Sequence, residues 1–256
     1  MEITTILLLC CFAFFAGFVD AVVGGGGLIQ SPAALILLPQ FPVSTVIGSL
    51  KIPAFSGTAF AARQYLKKVK VNVQQLLLMG VIAFIAAFAG SELLSQVSNR
   101  FMKPVIFIVL VGVAIYTYTK KSFGQHTHKE LSTKKQLIYS VIISIVIGFY
   151  DGFIGPGTGS FLVMAFIGIF GYDFLKAGAH AKMVNLSTNI GSICLFMLKG
   201  VIIWSVAIPM AISNGIGGIL GARMAINKGN KFIRLFFLCV IIATLIRFGY
   251  DIFMMR

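Results

Sequence analysis

Apolar runs of about 18 residues or more recur along almost the whole chain, and each can cross a hydrocarbon core about 30 Å thick. No other feature narrows the fold as much. With 58% of 256 residues hydrophobic and 11% charged, and a mean hydropathy of +0.97, the chain has too little polar surface for a soluble domain of this length. The expectation is an all-α polytopic membrane protein without a separate soluble domain. Its net charge of +14 sits in short loops between apolar runs. That placement marks cytoplasmic loops, so a lipid bilayer is expected as the surroundings and nucleic acid is not expected as a partner. Cys10, Cys11, Cys194 and Cys239 lie inside apolar runs with no CxxC or metal spacing, as small reduced packing residues do. The N-terminal run carries Glu2 in place of a basic leader segment and has an internal counterpart, so it reads as a retained transmembrane helix.

That counterpart belongs to a duplication. The halves align without a net gap at the offset that separates Gly17 from Gly148: Asp20 meets Asp151, Gly24 Gly155, Gly26 Gly157, Lys51 Lys182, Ser56 Ser187, Lys68 Lys199 and Gly90 Gly221. Paired Asp and Lys residues inside apolar surroundings do not recur at one offset by chance. Internal repeats of this kind are the usual architecture of secondary transporters. Each half reads as five apolar segments, about 3–22, 27–39, 43–62, 73–95 and 104–119, then 136–154, 158–170, 176–197, 201–222 and 234–254. The expected division is a first repeat over 1–119, a cytoplasmic linker over 120–135 and a second repeat over 136–256. The second segment of each half is short and follows a glycine-rich break. Arg63, Lys67, Lys68 and Lys70 in one half face only Lys199 in the other, whereas 223–234 outweighs Arg100 and Lys103. Basic loops on opposite sides predict inverted repeats, an odd number of crossings per half, the short segment crossing as part of a broken helix, and both termini outside.

Two constellations carry candidate chemistry. Asp20-Ala-Val-Val-Gly24-Gly25-Gly26-Gly27 is mirrored by Asp151-Gly-Phe-Ile-Gly155-Pro156-Gly157-Thr158-Gly159-Ser160. Glycine runs inside a membrane break the helix where protein or a wet cavity receives the backbone. The short helix that follows presents free N–H groups and a positive dipole end, an anion site. Gly26, Gly27, Gly157, Thr158, Gly159 and Ser160 are therefore candidate substrate contacts. Asp20 and Asp151 either cap the broken ends or couple transport to an ion, and the glycines could instead serve packing alone.

The second constellation is Lys51 and Lys182, each in mid-segment, where a charge costs about 2.5–3.5 kcal/mol on insertion scales and needs a cavity or a partner. Lys182, Asn185, Asn189 and Ser192 form a polar stripe at helical spacing, with the poorer stripe Lys51, Ala54, Thr58 and Ala61 as its mate. Lys51, Lys182, Asn185 and Asn189 are candidate substrate contacts, and Lys182 is expected to matter more. The structural alternative pairs Lys51 with Asp20 and Lys182 with Asp151. His180 reads as a packing histidine before a titrating gate, and Trp204 as an interfacial anchor. His126 and His128 read as solvated linker. There is no GxxxxGK[ST], HExxH, GxSxG or EF-hand spacing, and no strand precedes Gly155-Pro-Gly157-Thr-Gly159, so ATP-driven chemistry, metal and cofactor are not expected.

The segments Gly17-Phe-Val-Asp20-Ala-Val-Val-Gly-Gly-Gly-Gly-Leu and Gly148-Phe-Tyr-Asp151-Gly-Phe-Ile-Gly-Pro-Gly-Thr-Gly-Ser160 resemble the hallmark motifs of the TauE/SafE family, as does Ala179-His-Ala-Lys182-Met-Val-Asn185-Leu-Ser-Thr-Asn189. The resemblance covers essentially the whole chain. It implies an inner-membrane permease, an exporter of sulfite or a related organosulfonate. Pro53, two residues after Lys51, departs from the pattern. Together the readings point to a secondary transporter holding a small anion near the midplane between half-helix ends and the two lysines. An anion channel and a membrane-embedded enzyme are the rival classes. A homodimer is compatible with this reading.

Overall fold

The computed structural model describes residues 2–98, 108 and 131–254, with side-chain detail as far as residue 229. Among the described residues the chain is helical without strands: α1 Ile3–Val23, α2 Gly27–Leu37, α3 Val43–Leu66, α4 Val73–Gln96, α5 Thr133–Phe153, α6 Thr158–Gly168, α7 Phe174–Leu198 and α8 Trp204–Met254. Among the described residues, five helices or helical limbs are long and apolar enough to cross a membrane: α1, α4, α5, α7 and the Trp204–Gly229 limb of α8. α3 is long enough too, but Lys51, Arg63 and its small polar residues dilute its hydropathy. The segment expected over 104–119 lies outside the described residues, as does most of the linker. α5 begins at Thr133, so Lys134 and Lys135 belong to its first turn.

The starts and stops follow local chemistry. Asn72 caps α4 by accepting from the Gln75 N–H at 3.1 Å, and Asp173 caps α7 through the Lys176 N–H at 2.7 Å. Gly24, at φ 84°, ends α1 in the left-handed region, its N–H returning to Asp20 O. In place of the longer loop expected between 222 and 234, two helical limbs of α8 meet at Gly229, whose backbone is non-helical (φ 68°, ψ −165°) and would strain a side chain.

Packing repeats at the same offset as the sequence. α1 lies against α8 and its mate α5 against α4; α3 packs on α8 as α7 packs on α4; α3 and α7 meet each other. Backbones approach closely at mated positions. A Cβ on Gly90 would come 2.2 Å from Phe149 O, and one on Gly221 2.3 Å from Phe18 O. Small residues at such crossings are how membrane helices gain contact area without a hydrophobic drive between them.

α2 and α6 have eleven residues each, a rise of about 16 Å, half a hydrocarbon core. Neither continues the axis of the helix before it. A Cβ on Gly26 would sit 2.4 Å from Ala16 O, and the Phe161 ring meets Tyr150 at 5.3 Å. Each short helix therefore folds back along its predecessor. One apolar cluster gathers Leu9 and Ala13 of α1 with Ala34 and Leu38. Another gathers Ile143 of α5 with Val163, Phe166 and Ile167 of α6.

Candidate functional site at the crossing of the two glycine breaks

The two breaks touch backbone to backbone. The Ser160 N–H donates to Gly24 O at 2.9 Å, and its hydroxyl donates to Val23 O at 3.1 Å. A Cβ on Gly24 would lie 2.2 Å from the Gly159 carbonyl carbon, and one on Gly159 2.5 Å from Gly24 O. Gly155 and Gly157 hold positive φ (91° and 88°). The glycines thus serve two ends: they turn the chain, and they let one break pass over the other.

Both buried lysines reach across the molecule. Lys51 Nζ is 3.0 Å from Asp151 Oδ2 and donates to the Asp151 carbonyl at 2.6 Å. Lys182 Nζ is 3.0 Å from Asp20 Oδ2 and also donates to the Asp20 carbonyl. Pairing within each half, the structural alternative read from the sequence, does not occur; each lysine closes the broken end of the other half. The reason is geometric. α3 and α7 pack on each other between the halves, so each lysine points at the far break. The ammonium meets a carboxylate and the negative, C-terminal end of a helix at once. In low dielectric, removing one partner would leave the other charge uncompensated.

Beside the crossing lies a cavity of about 60 Å³, whose wall includes Lys51, Asp20, Asp151, Asn185, Asn189 and Thr58. Gly26, Gly27, Gly157, Thr158 and Gly159 supply backbone to the same wall, and Gln30, Ser31 and Asn214 complete its polar part. Lys182 and Ser160 do not reach it. Lys182 stands behind Asp20, and the donors of Ser160 are spent on the other break. Within the wall Thr58 Oγ1 donates to Asn185 Oδ1 at 3.3 Å, and Asn189 Nδ2 to Asn185 O at 2.8 Å. Asn214 Nδ2 donates to Gln30 Oε1 at 2.7 Å, and Gln30 Nε2 to Leu50 O at 3.2 Å. Asn214 reaches this position because Gly17 and Gly57 lack side chains: a Cβ on Gly57 would fall 1.9 Å from its Oδ1.

A family profile described as "Sulfite exporter TauE/SafE" matches residues 9–248. The chain belongs to the TauE/SafE family. It is a membrane transporter of that family. It is 33% identical over 232 residues to a Haemophilus influenzae protein named "Probable membrane transporter protein", covering 91% of this chain and 89% of that one. A Sinorhizobium protein, "Probable membrane transporter protein ORF9", is 33% identical over 239 residues, 93% of this chain and 90% of the relative. The Escherichia coli K12 protein "Probable membrane transporter protein YfcA" is 30% identical over 222 residues, 87% of this chain and 81% of the relative. No solved structure matches the chain significantly.

Sequence reasoning missed Gln30 and Asn214 of this TauE/SafE chain. A signal existed, since amides in apolar helices are costly without a partner. However, their offset mates are Phe161 and Ala83, so a search guided by the duplication passes over them. His180 lies away from the cavity. Its Nε2 accepts the Asn72 N–H at 3.4 Å, so the Nδ1 proton faces Lys176 O at 2.8 Å, and Tyr172 packs on the ring at 4.7 Å. That is a satisfied packing histidine in a neutral tautomer. Ser192, at the end of the predicted stripe, is buried away from the wall, and no hydrogen bond to it is found. Among the described residues no cluster of metal-ligand type is found.

Proposed function

We propose that this TauE/SafE protein is a secondary transporter that exports a small oxyanion, sulfite in the first place, through the cavity at the crossed breaks. The observation that carries the reading is the cavity itself. Converging on it are the Lys51 ammonium, the amides of Asn185, Asn189, Gln30 and Asn214, and glycine backbone that begins two short helices. The positive dipole ends of the two short helices favour anions, and amides satisfy oxyanion lone pairs without adding charge. At about 10–15 Å³ for each enclosed water, the space suits a few waters or one compact oxyanion. Sulfite fits this better than a larger organosulfonate such as taurine, within the substrate class that the family resemblance implies.

The charge pattern supports an inner-membrane protein of two inverted repeats with both termini outside. Arg63 sits in the last turn of α3, with Lys67, Lys68 and Lys70 just beyond it. The mated position, Lys199, is tied to Glu92 at 2.8 Å. Rocking one half against the other about the shared site would give alternating access. Purified protein should melt later in sulfite than in chloride, because only a bound ligand stabilises. In proteoliposomes, sulfite flux should follow an imposed ion gradient in fixed stoichiometry. Flux without such coupling would mark a channel, and a chemically altered product would mark an enzyme.

A further inference from the structure

The cavity is not positive. Its wall carries two carboxylates, Asp20 and Asp151, against one ammonium, Lys51. Lys182, the fourth charge, is 2% exposed and lies outside the wall. The two acids differ: the Asp151 side chain is 4% exposed beside Lys51, whereas that of Asp20 is 19% exposed beside Lys182. An anion entering here meets the open side of the Asp20 carboxylate, and the cation that would attract it stands behind that carboxylate.

We infer that a proton enters with the anion and is carried on Asp20, and that its arrival uncovers the charge of Lys182. The inference rests on the anion-transport reading above. In chemical terms, a proton from cavity water forms an O–H bond at an Asp20 carboxylate oxygen, and hydroxide returns to solution. Lys182 loses a charged partner and keeps the Asp20 carbonyl to which it also donates. The site gains one positive charge as the anion brings its negative charge, so the pair crosses with less buried net charge than the anion alone. Release on the far side frees both, which couples export to proton movement in the same direction.

Among the described residues, the other ionisable groups around Asp20 are few. α7 presents Lys182 at 3.0 Å. α3 presents Lys51 across the cavity and Tyr65, whose hydroxyl is committed to Ala21 O at 3.0 Å. α5 presents Asp151, held by Lys51. Gln30 of α2, Thr158 of α6 and Asn214 of α8 complete the surroundings without a titratable group. Of the two wall carboxylates, Asp20 is the more exposed.

Sulfate and isethionate, which do not titrate near neutral pH, test this with the full chain in detergent. Affinity should strengthen as pH falls, by up to about tenfold for each unit, the limiting slope of one linked proton. Adding sulfate to weakly buffered protein should raise the pH by about one proton equivalent per anion bound. Asp20→Asn should bind with no pH slope and no proton uptake, at about the affinity wild type reaches in acid. Adding Lys182→Ala to Asp20→Asn should weaken binding at every pH. Wild type that binds sulfate with a flat pH profile and no proton uptake overturns the inference and leaves the transporter reading standing. Affinity that follows sodium instead of pH does the same. If neither anion nor sulfite binds at any pH, the anion reading itself fails. The proton count needs only wild-type protein, so an Asp20→Asn variant that does not fold leaves the test intact.

Discussion

At the scale of single residues, the two lysines stand differently to the cavity. Lys51 lines the wall and Lys182 does not. Lys51→Ala should cost about 3–5 kcal/mol of stability by stranding Asp151, and Lys51→Ala with Asp151→Asn should recover most of it. The recovered double variant should still bind sulfite more weakly by about 1.5–3 kcal/mol, the worth of a charge-assisted hydrogen bond. Melting curves and titrations on the two proteins measure both numbers, and full-strength binding by the double variant would remove Lys51 from the site. Asn214→Leu tests a residue that the duplication hid. It removes the donor that holds Gln30 and puts branched carbon into a gap made by Gly17 and Gly57, so binding and stability should fall together. Asn185 and Asn189 were legible in the sequence because they share a helical face with Lys182. What was illegible was which way that face turns. The stripe wraps far enough around α7 that Lys182 and Ser192 leave the wall while the two asparagines stay in it.

At the scale of elements, the break is the unit that decides the site. Its existence was plain in the sequence, and segment ends mostly fall within a few residues of those read from hydropathy. The path of the chain after each break was not, because a glycine run licenses either a kink or a reversal, and tertiary contacts choose between them. Here the contact is one glycine run lying on the other, a juxtaposition between residues far apart in the chain that no local pattern encodes. Gly24→Ala should lose about 3 kcal/mol or more, since a Cβ there meets both a left-handed φ and the Gly159 backbone. Gly168→Ala, whose added Cβ would have open space around it, should be neutral or gain up to about 1 kcal/mol. Equal melting temperatures for the two variants would show that the breaks do not need their close crossing. Gly157→Val should fail to fold as well as fail to bind, because φ 88° excludes a β-branched residue before any ligand arrives.

At the scale of the whole molecule, the offset in the sequence reappears in which helices touch, and the inverted arrangement proposed above makes a direct prediction. Single cysteines near 67–70 and near 198–200, on a cysteine-free background, should differ in labelling by an impermeant maleimide in intact cells. Equal labelling of both loops would rule the inversion out. The crossed ion pairs have a further consequence for how such a chain could have arisen. Each half contains an acid and a base, Asp20 with Lys51 and Asp151 with Lys182, yet neither half satisfies its own. A single unit folded alone would bury an ammonium with no counterion and leave a broken helix end uncapped. Two copies of one unit, facing each other, would satisfy both pairs by symmetry without any change of sequence. A homodimer whose subunits were joined end to end would show such crossed pairs, its linker adding proximity where the ion pairs already supply the fit. The two halves expressed as separate polypeptides should still find each other, and the charge pairs would be the code by which they do so.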